Sequence, residues 1–400
     1  MRGRLLDESY PAAIRGDLLT VTVARLGTNA LIRFAPPFLG VIASGLDVTV
    51  GRLGVALTVA ELGGLSATII GRLVDHLARR IAMVLGLAGI TAGACLAAAG
   101  GHVVVFGAGL LVLTLSKLLF DIGQGAWIAD HVPFERRSRV VGINESSWAL
   151  GLLVGVSVMG LVTAATSWRW GYVSAAALTA VMAVVVWRRI GPDVPGRHTP
   201  PSEIPGPSSL PPTGGPARLT PAGRLAVLSV AFLAAGSQTM FVTFGTWLDD
   251  AHGLSTAQLT AVTFTLGFFE LAASSLSTAR TDRWGKERSV VGGGVMMLLA
   301  GALFAVANGF LPVALPLLVL FIAFFEFGIV SAIPIGGDLV PGRPGAGLSR
   351  FLTAVTLGRA AAIIPATALF QRYGITACAI IAAAFGACVA ASMQARRARV

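Results

Sequence analysis

The 400-residue sequence is short of charge: Asp, Glu, Lys and Arg make up 12% of it, against about a quarter of a soluble globular chain. With 55% hydrophobic residues and a mean hydropathy of +0.79, that shortage excludes a water-soluble fold for most of the chain. Lysine is almost missing, with Lys117 and Lys286 alone among 30 cationic residues, so the net charge of +11 reads as a membrane-topology signal and no nucleic-acid partner is expected. Cysteine is scarce as well. Cys95, Cys378 and Cys388 stand singly inside apolar runs, which excludes a disulfide framework or thiolate metal site and leaves them as packing residues. There is no Gly-x-x-x-x-Gly-Lys-[Ser/Thr] loop, no catalytic Ser-His-Asp set and no metal-ligand spacing, so an ATP-driven pump, an enzyme, a cofactor and a metal are all unexpected. The first twenty residues carry Arg2, Arg4, Asp7, Glu8, Arg15 and Asp17 without an apolar core before a small-residue cleavage site, so no cleaved signal peptide is expected.

What the sequence has in abundance is long hydrophobic runs. Gly, Pro and charge punctuate them into twelve segments, at 18–44, 51–70, 81–100, 104–127, 140–163, 170–187, 224–247, 257–278, 289–307, 312–336, 348–369 and 374–394. Each is long enough to cross a bilayer as a helix, which predicts an all-α integral membrane protein. An even number of spans puts both termini on one side. That side carries 23 of the 30 Arg and Lys residues; the opposite loops carry only Arg52, Arg169 and Arg372, and Arg25, Arg33, Lys117 and Arg359 fall within spans. This bias predicts a multi-pass protein of the cell (inner) membrane with both termini cytoplasmic.

Residues 191–222 hold ten prolines with several Gly and Ser, a composition that cannot bury a core and reads as a cytoplasmic linker. It divides the chain into a six-helix half at 1–190 and another at 223–400. The halves repeat. Asp75 in GRLVDHLARR matches Asp282 in TARTDRWGKER at an offset of 207, and Asp130-His-Val-Pro133 matches Asp338-Leu-Val-Pro341 at an offset of 208. Two punctuation sites at nearly one offset predict a duplicated, pseudo-symmetric unit, the arrangement in which substrate sites lie near mid-membrane.

Three local patterns carry a family resemblance. After span two the chain reads Gly71-Arg-Leu-Val-Asp75-His-Leu-Ala-Arg79-Arg80. Span four contains Lys117-Leu-Leu-Phe-Asp121-Ile-Gly123-Gln-Gly125, and span five a small-residue stripe at Gly151, Gly155 and Gly160. With the twelve spans, these make the chain resemble the major facilitator superfamily over essentially its whole length, and the stretches Val132-Pro-Phe-Glu-Arg-Arg137 and Asn144-Glu145-Ser-Ser-Trp148 resemble a bacterial subgroup of drug or metabolite efflux permeases. The first pattern keeps that family's glycine, aspartate and basic pair, with His76 and Ala78 replacing the usual Arg and Gly. The second carries lysine for arginine and aspartate for the first glycine. The third lacks the family exporters' proline, where this chain has Val156. The resemblance implies gating loops around Gly71, Asp75, Arg79, Arg80, Asp282 and Arg283; physically, Asp75 sits where it can accept from a helix N-terminus with the arginines holding the loop against the anionic leaflet, unless Arg79 and Arg80 serve only to fix orientation.

Charges inside spans cost free energy unless they pair, face a wet cavity or act. Lys117 and Asp121 lie four apart on one helical face, and Glu145 falls at a similar depth in span five. Two carboxylates beside one cation outline a proton-coupling site of Asp121, Glu145 and Lys117, and equally a structural Lys117–Asp121 pair with Glu145 bonded to a neighbouring helix. Arg33 with Glu61, and Glu326 with Arg359, sit at depths that suit ion pairs, either structural or facing a substrate cavity. Glu270, with no obvious cation at its depth, is either protonated or facing the substrate cavity, and Trp148 either lines that cavity or packs between helices. Trp127, Trp168, Trp170, Trp187 and Trp247 fall near span ends, where an interfacial belt is expected.

These readings lead to a secondary transporter working by alternating access, with a small-molecule substrate, protons and membrane lipids as its partners and a monomer as its state. Apolar walls with scattered acids suit proton-coupled efflux of a small amphipathic or lipophilic compound. Uptake of an organic anion by proton symport or facilitation is the alternative within the same fold, and a transport-dead membrane sensor or scaffold the alternative of another class.

Overall fold

A computed structural model describes Tyr10 and residues 12–132, 137–192, 219–340 and 344–399. Pro133 and Pro341 of the repeat, and linker residues 193–218, lie outside the described residues. Every regular element among the described residues is helical, because in lipid a helix satisfies its own backbone groups. Ten helices are long and apolar enough to cross a membrane, and the bent pair Ile14–Phe34 and Leu39–Gly45 adds one more. The last of the ten, Gly347–Arg397, runs 51 residues, about 76 Å at the helical rise and more than twice the hydrocarbon thickness. Gly374, at φ 72° and ψ −171°, breaks it, a conformation that a side chain would resist. The described residues thus form twelve spans.

Several spans are interrupted, each for a local reason. Span one bends by 67° between its two pieces, where Pro36 and Pro37 supply no backbone donor. Span two passes through a tight turn, Gly63–Ser66, between Val50–Leu62 and Ala67–Asp75. Span five widens into a π-helical turn, Gly151–Val156, within Arg139–Ala165. Span seven consists of Pro221–Phe241 and Phe244–His252, broken at Val242 and Thr243. The first piece of span one ends at Phe34 and that of span seven at Phe241, the same offset of 207 that separates Asp75 from Asp282. Interrupted helices at corresponding positions of two repeats point to where a transporter binds and moves its substrate.

The described chain packs as two compact units. One comprises the described residues within Met1–Ala35 and Gly63–Ile204, the other those within Pro36–Leu62 and Pro205–Val400. The chain therefore leaves the first unit at the proline bend of span one and returns to it at the tight turn of span two. In the first unit Phe106 packs edge to face on Trp168 at 5.7 Å and on Tyr172 at 5.9 Å, with Phe34 5.0 Å from Tyr172. In the second, Val50–Leu62 packs against the last long helix, and Phe304 meets Trp247 at 4.9 Å.

Two expectations about side chains are corrected. Trp127, Trp168 and Trp247 are buried in helix contacts, whereas Trp170 and Trp187 are exposed as belt residues should be. Nearness to a span end sets an aromatic's depth in the membrane, but the face of the helix decides whether it meets lipid or protein. Cys378 is buried, but Cys95 and Cys388 are exposed on outward faces.

Candidate functional site

In the first unit, one stripe of span one meets span five. Arg25, Asn29 and Arg33 stand at successive four-residue steps and so share a helical face. Span five approaches closely because Gly155 lies against the Ala30 side chain, leaving no room for a methyl group. Arg25 donates through Nη1 to Glu145 Oε1 at 2.7 Å and to the Asn144 carbonyl at 3.2 Å. One step on, Asn29 donates to Ser147 Oγ at 3.2 Å. One step further, Arg33 donates to the Trp148 carbonyl at 3.1 Å, with its guanidinium 4.5 Å from the centre of the Trp148 ring.

Span four joins at the first step. Arg25 Nε lies 3.4 Å from Asp121 Oδ1, while Lys117 Nζ bonds Asp121 Oδ2 from one turn earlier. Gln124, buried, bonds the Asn144 side chain. The structure therefore brings Lys117, Asp121 and Glu145 together, around an arginine that the sequence reading left unassigned. Two cations face two carboxylates, so the cluster is neutral with all four groups ionised. Asp121 has a cation on each oxygen, and Glu145 holds one and keeps 51% of its side chain exposed. The amide oxygens of Asn29 and Gln124 are buried with no hydrogen-bond partner among the described residues, acceptors that an entering donor can fill. The polar stripe 25, 29, 33 was the available sequence signal for Arg25.

In the second unit, Arg359 Nη2 donates to Glu61 Oε1 at 2.6 Å, linking span eleven to span two. Depth alone had matched Arg359 with Glu326 and Glu61 with Arg33. Glu326 and Glu270 are both buried, in spans ten and eight, which pack on one another. Spans eight and ten are also tied by Ser331, whose hydroxyl lies 2.8 Å from those of Ser277 and Thr281.

The loop after span two is held by its basic pair. Arg79 donates through Nε to Asp130 Oδ2 at 2.9 Å and through Nη1 to the Val74 carbonyl at 3.0 Å. Thus the two punctuation sites of the first repeat, the loop after span two and the end of span four, are joined by one ion pair. Arg80 stacks on Trp187 at 4.2 Å and reaches the Ile190 carbonyl. Gly71 has open space beside it, and Asp75, Asp282 and Arg283 are exposed at the ends of their helices. No group of three metal-binding side chains gathers among the described residues.

Comparison with known proteins agrees with this architecture. The family model of the Major Facilitator Superfamily matches residues 18–362. An MFS-type transporter of Bacillus subtilis (strain 168), YwfA, is 25% identical over 155 residues, which is 38% of this chain and 37% of that relative's length. Among solved structures, a bacterial homologue of the human lysosomal transporter Spinster, inward-facing and unoccupied, superposes with a TM-score of 0.71 at 13% identity, covering 96% of this chain and 94% of that one. The human organic anion transporter MFSD10 (TETRAN) gives 0.69 at 18% identity, covering 96% and 100%. At these identities the structures show a shared fold, and the family match covers most of the chain. The chain belongs to the Major Facilitator Superfamily of multi-pass membrane transporters.

Proposed function

We propose that this chain is a secondary active transporter that couples proton movement to the efflux of a small amphipathic or lipophilic compound. The observation that carries the reading is Arg25, which holds Asp121 on span four and Glu145 on span five at once. A proton arriving on the half-exposed Glu145 removes the charge that Arg25 is bonded to. Arg25 then has Asp121 as its remaining carboxylate, and the tie from span one to span five loosens just before the π-helical turn at Gly151–Val156. A proton thereby removes the ionic part of the span one–span five contact while the Asn29–Ser147 and Arg33–Trp148 bonds keep the two helices joined, a local change through which protonation can bias alternating access. The bias of Arg and Lys between loops supports cytoplasmic termini in the cell membrane.

The uptake of an organic anion asks for an arginine left to its substrate. The candidates for it are Arg33 and Arg359: Arg359 is bonded to Glu61 and Arg33 is engaged by the Trp148 carbonyl and ring, which favours the efflux reading over that one. The test is flux in proteoliposomes under an imposed pH gradient, with lipophilic cations and organic acids as substrates. Gradient-driven movement of lipophilic cations that is abolished by Asp121→Asn or Glu145→Gln supports the reading. Undiminished gradient-driven flux in both variants refutes the coupling site, and the direction of accumulation separates efflux from uptake.

A further inference from the structure

Spans eight, nine and ten, Thr256–Trp284, Lys286–Ala307 and Leu311–Gly337, enclose a furrow in the second unit. Span nine docks on span ten where Gly293 lies against the Gly328 backbone, and span eight is held to span ten through the Ser331 hydroxyl. Spans eight and nine pack mainly on span ten and little on one another. A furrow of about 290 Å³ is left between them, with Phe324 and Phe327 of span ten in its wall. All of its lining belongs to the second unit, so it does not include the Arg25 cluster.

The two edges of the furrow are stripes at four-residue steps. Span eight presents Leu276, Arg280 and Trp284, and span nine Arg288, Gly292 and Met296, each set on one helical face. All but Arg280 line the furrow, and Arg280 lies 5.8 Å from the centre of the Trp284 ring. The chain turns at Gly285 between the two helices, so Trp284 and Arg288 share one end and Leu276 and Met296 the other, about 12 Å away at the helical rise. One leaflet supplies about 15 Å of hydrocarbon. The furrow thus passes from cation to apolar wall over the depth of a single leaflet. It opens outward: Leu276, Trp284 and Met296 are exposed, and further along span nine so are Leu299, Leu303 and Val306, side chains that a spanning helix turns to lipid.

The charge at the open end has one sign in excess. Residues 280–288 carry Arg280, Arg283, Lys286 and Arg288 against Asp282 and Glu287, and Glu287 is bonded to Arg396 at 2.8 Å. Arg288 stands in the furrow wall and forms no ion pair among the described residues. A cation at the mouth of an apolar furrow one leaflet deep matches a molecule with an anionic head and a hydrocarbon tail.

We propose that this furrow holds one anionic phospholipid, with its phosphate at Arg288 and one acyl chain laid past Gly292 to Met296, over Phe324 and Phe327. The planar guanidinium suits a phosphate because it can donate to two oxygens at once. Gly292 keeps the path of the chain open, since its Cβ position meets nothing within 4 Å. The site rests on the membrane-spanning fold and depends on neither proton coupling nor the direction of transport.

The test is native mass spectrometry of the full chain, delipidated in detergent and titrated with dioleoyl phosphatidylglycerol or dioleoyl phosphatidylcholine, which carry the same tails under an anionic and a zwitterionic head. The first phosphatidylglycerol is expected to bind about tenfold more tightly than the first phosphatidylcholine. Arg288→Gln is expected to weaken phosphatidylglycerol about fivefold, the scale of one cation at an anionic lipid surface, and to leave phosphatidylcholine unchanged. Gly292→Leu fills the furrow with a better helix former and is expected to weaken the first binding of both lipids about tenfold at the native melting temperature. Arg288 is exposed, so its arm of the test stands even where the leucine variant folds poorly. Equal affinity of the native chain for the two lipids, or a phosphatidylglycerol affinity unchanged by Arg288→Gln or by a folded Gly292→Leu, overturns the assignment. So does a lipid-free dimer abolished by Gly292→Leu, which would make a second copy of the chain the occupant.

Discussion

Arg359 and Glu61 are 298 residues apart in the chain and 2.6 Å apart in the fold, guanidinium to carboxylate, with about four-fifths of each side chain buried. Removing one partner takes this ion pair from the other in a low-dielectric site. Glu61→Gln or Arg359→Gln is therefore expected to destabilise the protein by on the order of 2 kcal/mol, and the double variant Glu61→Leu with Arg359→Leu to recover most of the loss. Thermal unfolding of the detergent-solubilised protein reads this directly; equal instability in single and double variants would show that the pair is not what matters.

Arg25 is the hub of the cluster proposed to couple protons, and its loss should cost more than that of Lys117. Arg25→Met removes both cation contacts to Glu145 and Asp121, and pH-gradient-driven flux is expected to fall about ten- to a hundredfold, the scale of a charge-assisted bond. Lys117→Met leaves Arg25 in place and is expected to fall less. The comparison is made in proteoliposomes with internal pyranine, and the reverse ranking would move the hub to Lys117.

Gly245 abuts the carbonyl of Pro37, where a methyl group has no room. Gly245→Ala is expected to cost about 3 kcal/mol through overpacking, because both partners are backbone beside helix breaks and neither has a flexible tip to swing away. Gly253→Ala has open space at its Cβ but a φ of 63°, and should cost about 1 kcal/mol. Melting temperatures of the two variants give the order.

Arg79 and Asp130 form a partly exposed pair at 2.9 Å. Arg79→Ala is expected to change stability by no more than about 1 kcal/mol, while slowing transport clearly, since the pair ties the loop after span two to the end of span four. Turnover and melting are measured on the same preparation. Transport at the native rate would reduce Arg79 to an orientation signal.

Much of the architecture was legible in the sequence because lipid imposes a one-dimensional rule. A run of about 20 apolar residues is needed to cross it, so span nine, expected at 289–307, is the helix Lys286–Ala307, and span ten, expected at 312–336, is Leu311–Gly337. The division of the final apolar stretch was readable from Gly374. Breaks inside spans were not, since hydropathy averages over them: the expected 18–44 ran through Pro36 and Pro37 without separating the two pieces. The candidate site was legible in part. Lys117 and Asp121 lie one turn apart and needed only helical spacing, whereas Arg25 reaches them across 96 residues from Asp121 and required knowing which face of span one meets span four.

Composition, periodicity and charge punctuation by themselves determined a twelve-span helical membrane protein with a repeat at an offset of 207, because desolvation of backbone and charge is a local cost paid residue by residue. Which charges meet was decided only by tertiary packing. Helix rotation carries Arg25 between Asp121 and Glu145, sets Arg359 against Glu61, and turns Trp247 inward from where a belt residue would stand. Depth in a membrane follows from position along the chain; the face presented to a neighbour follows from how the helices fit together.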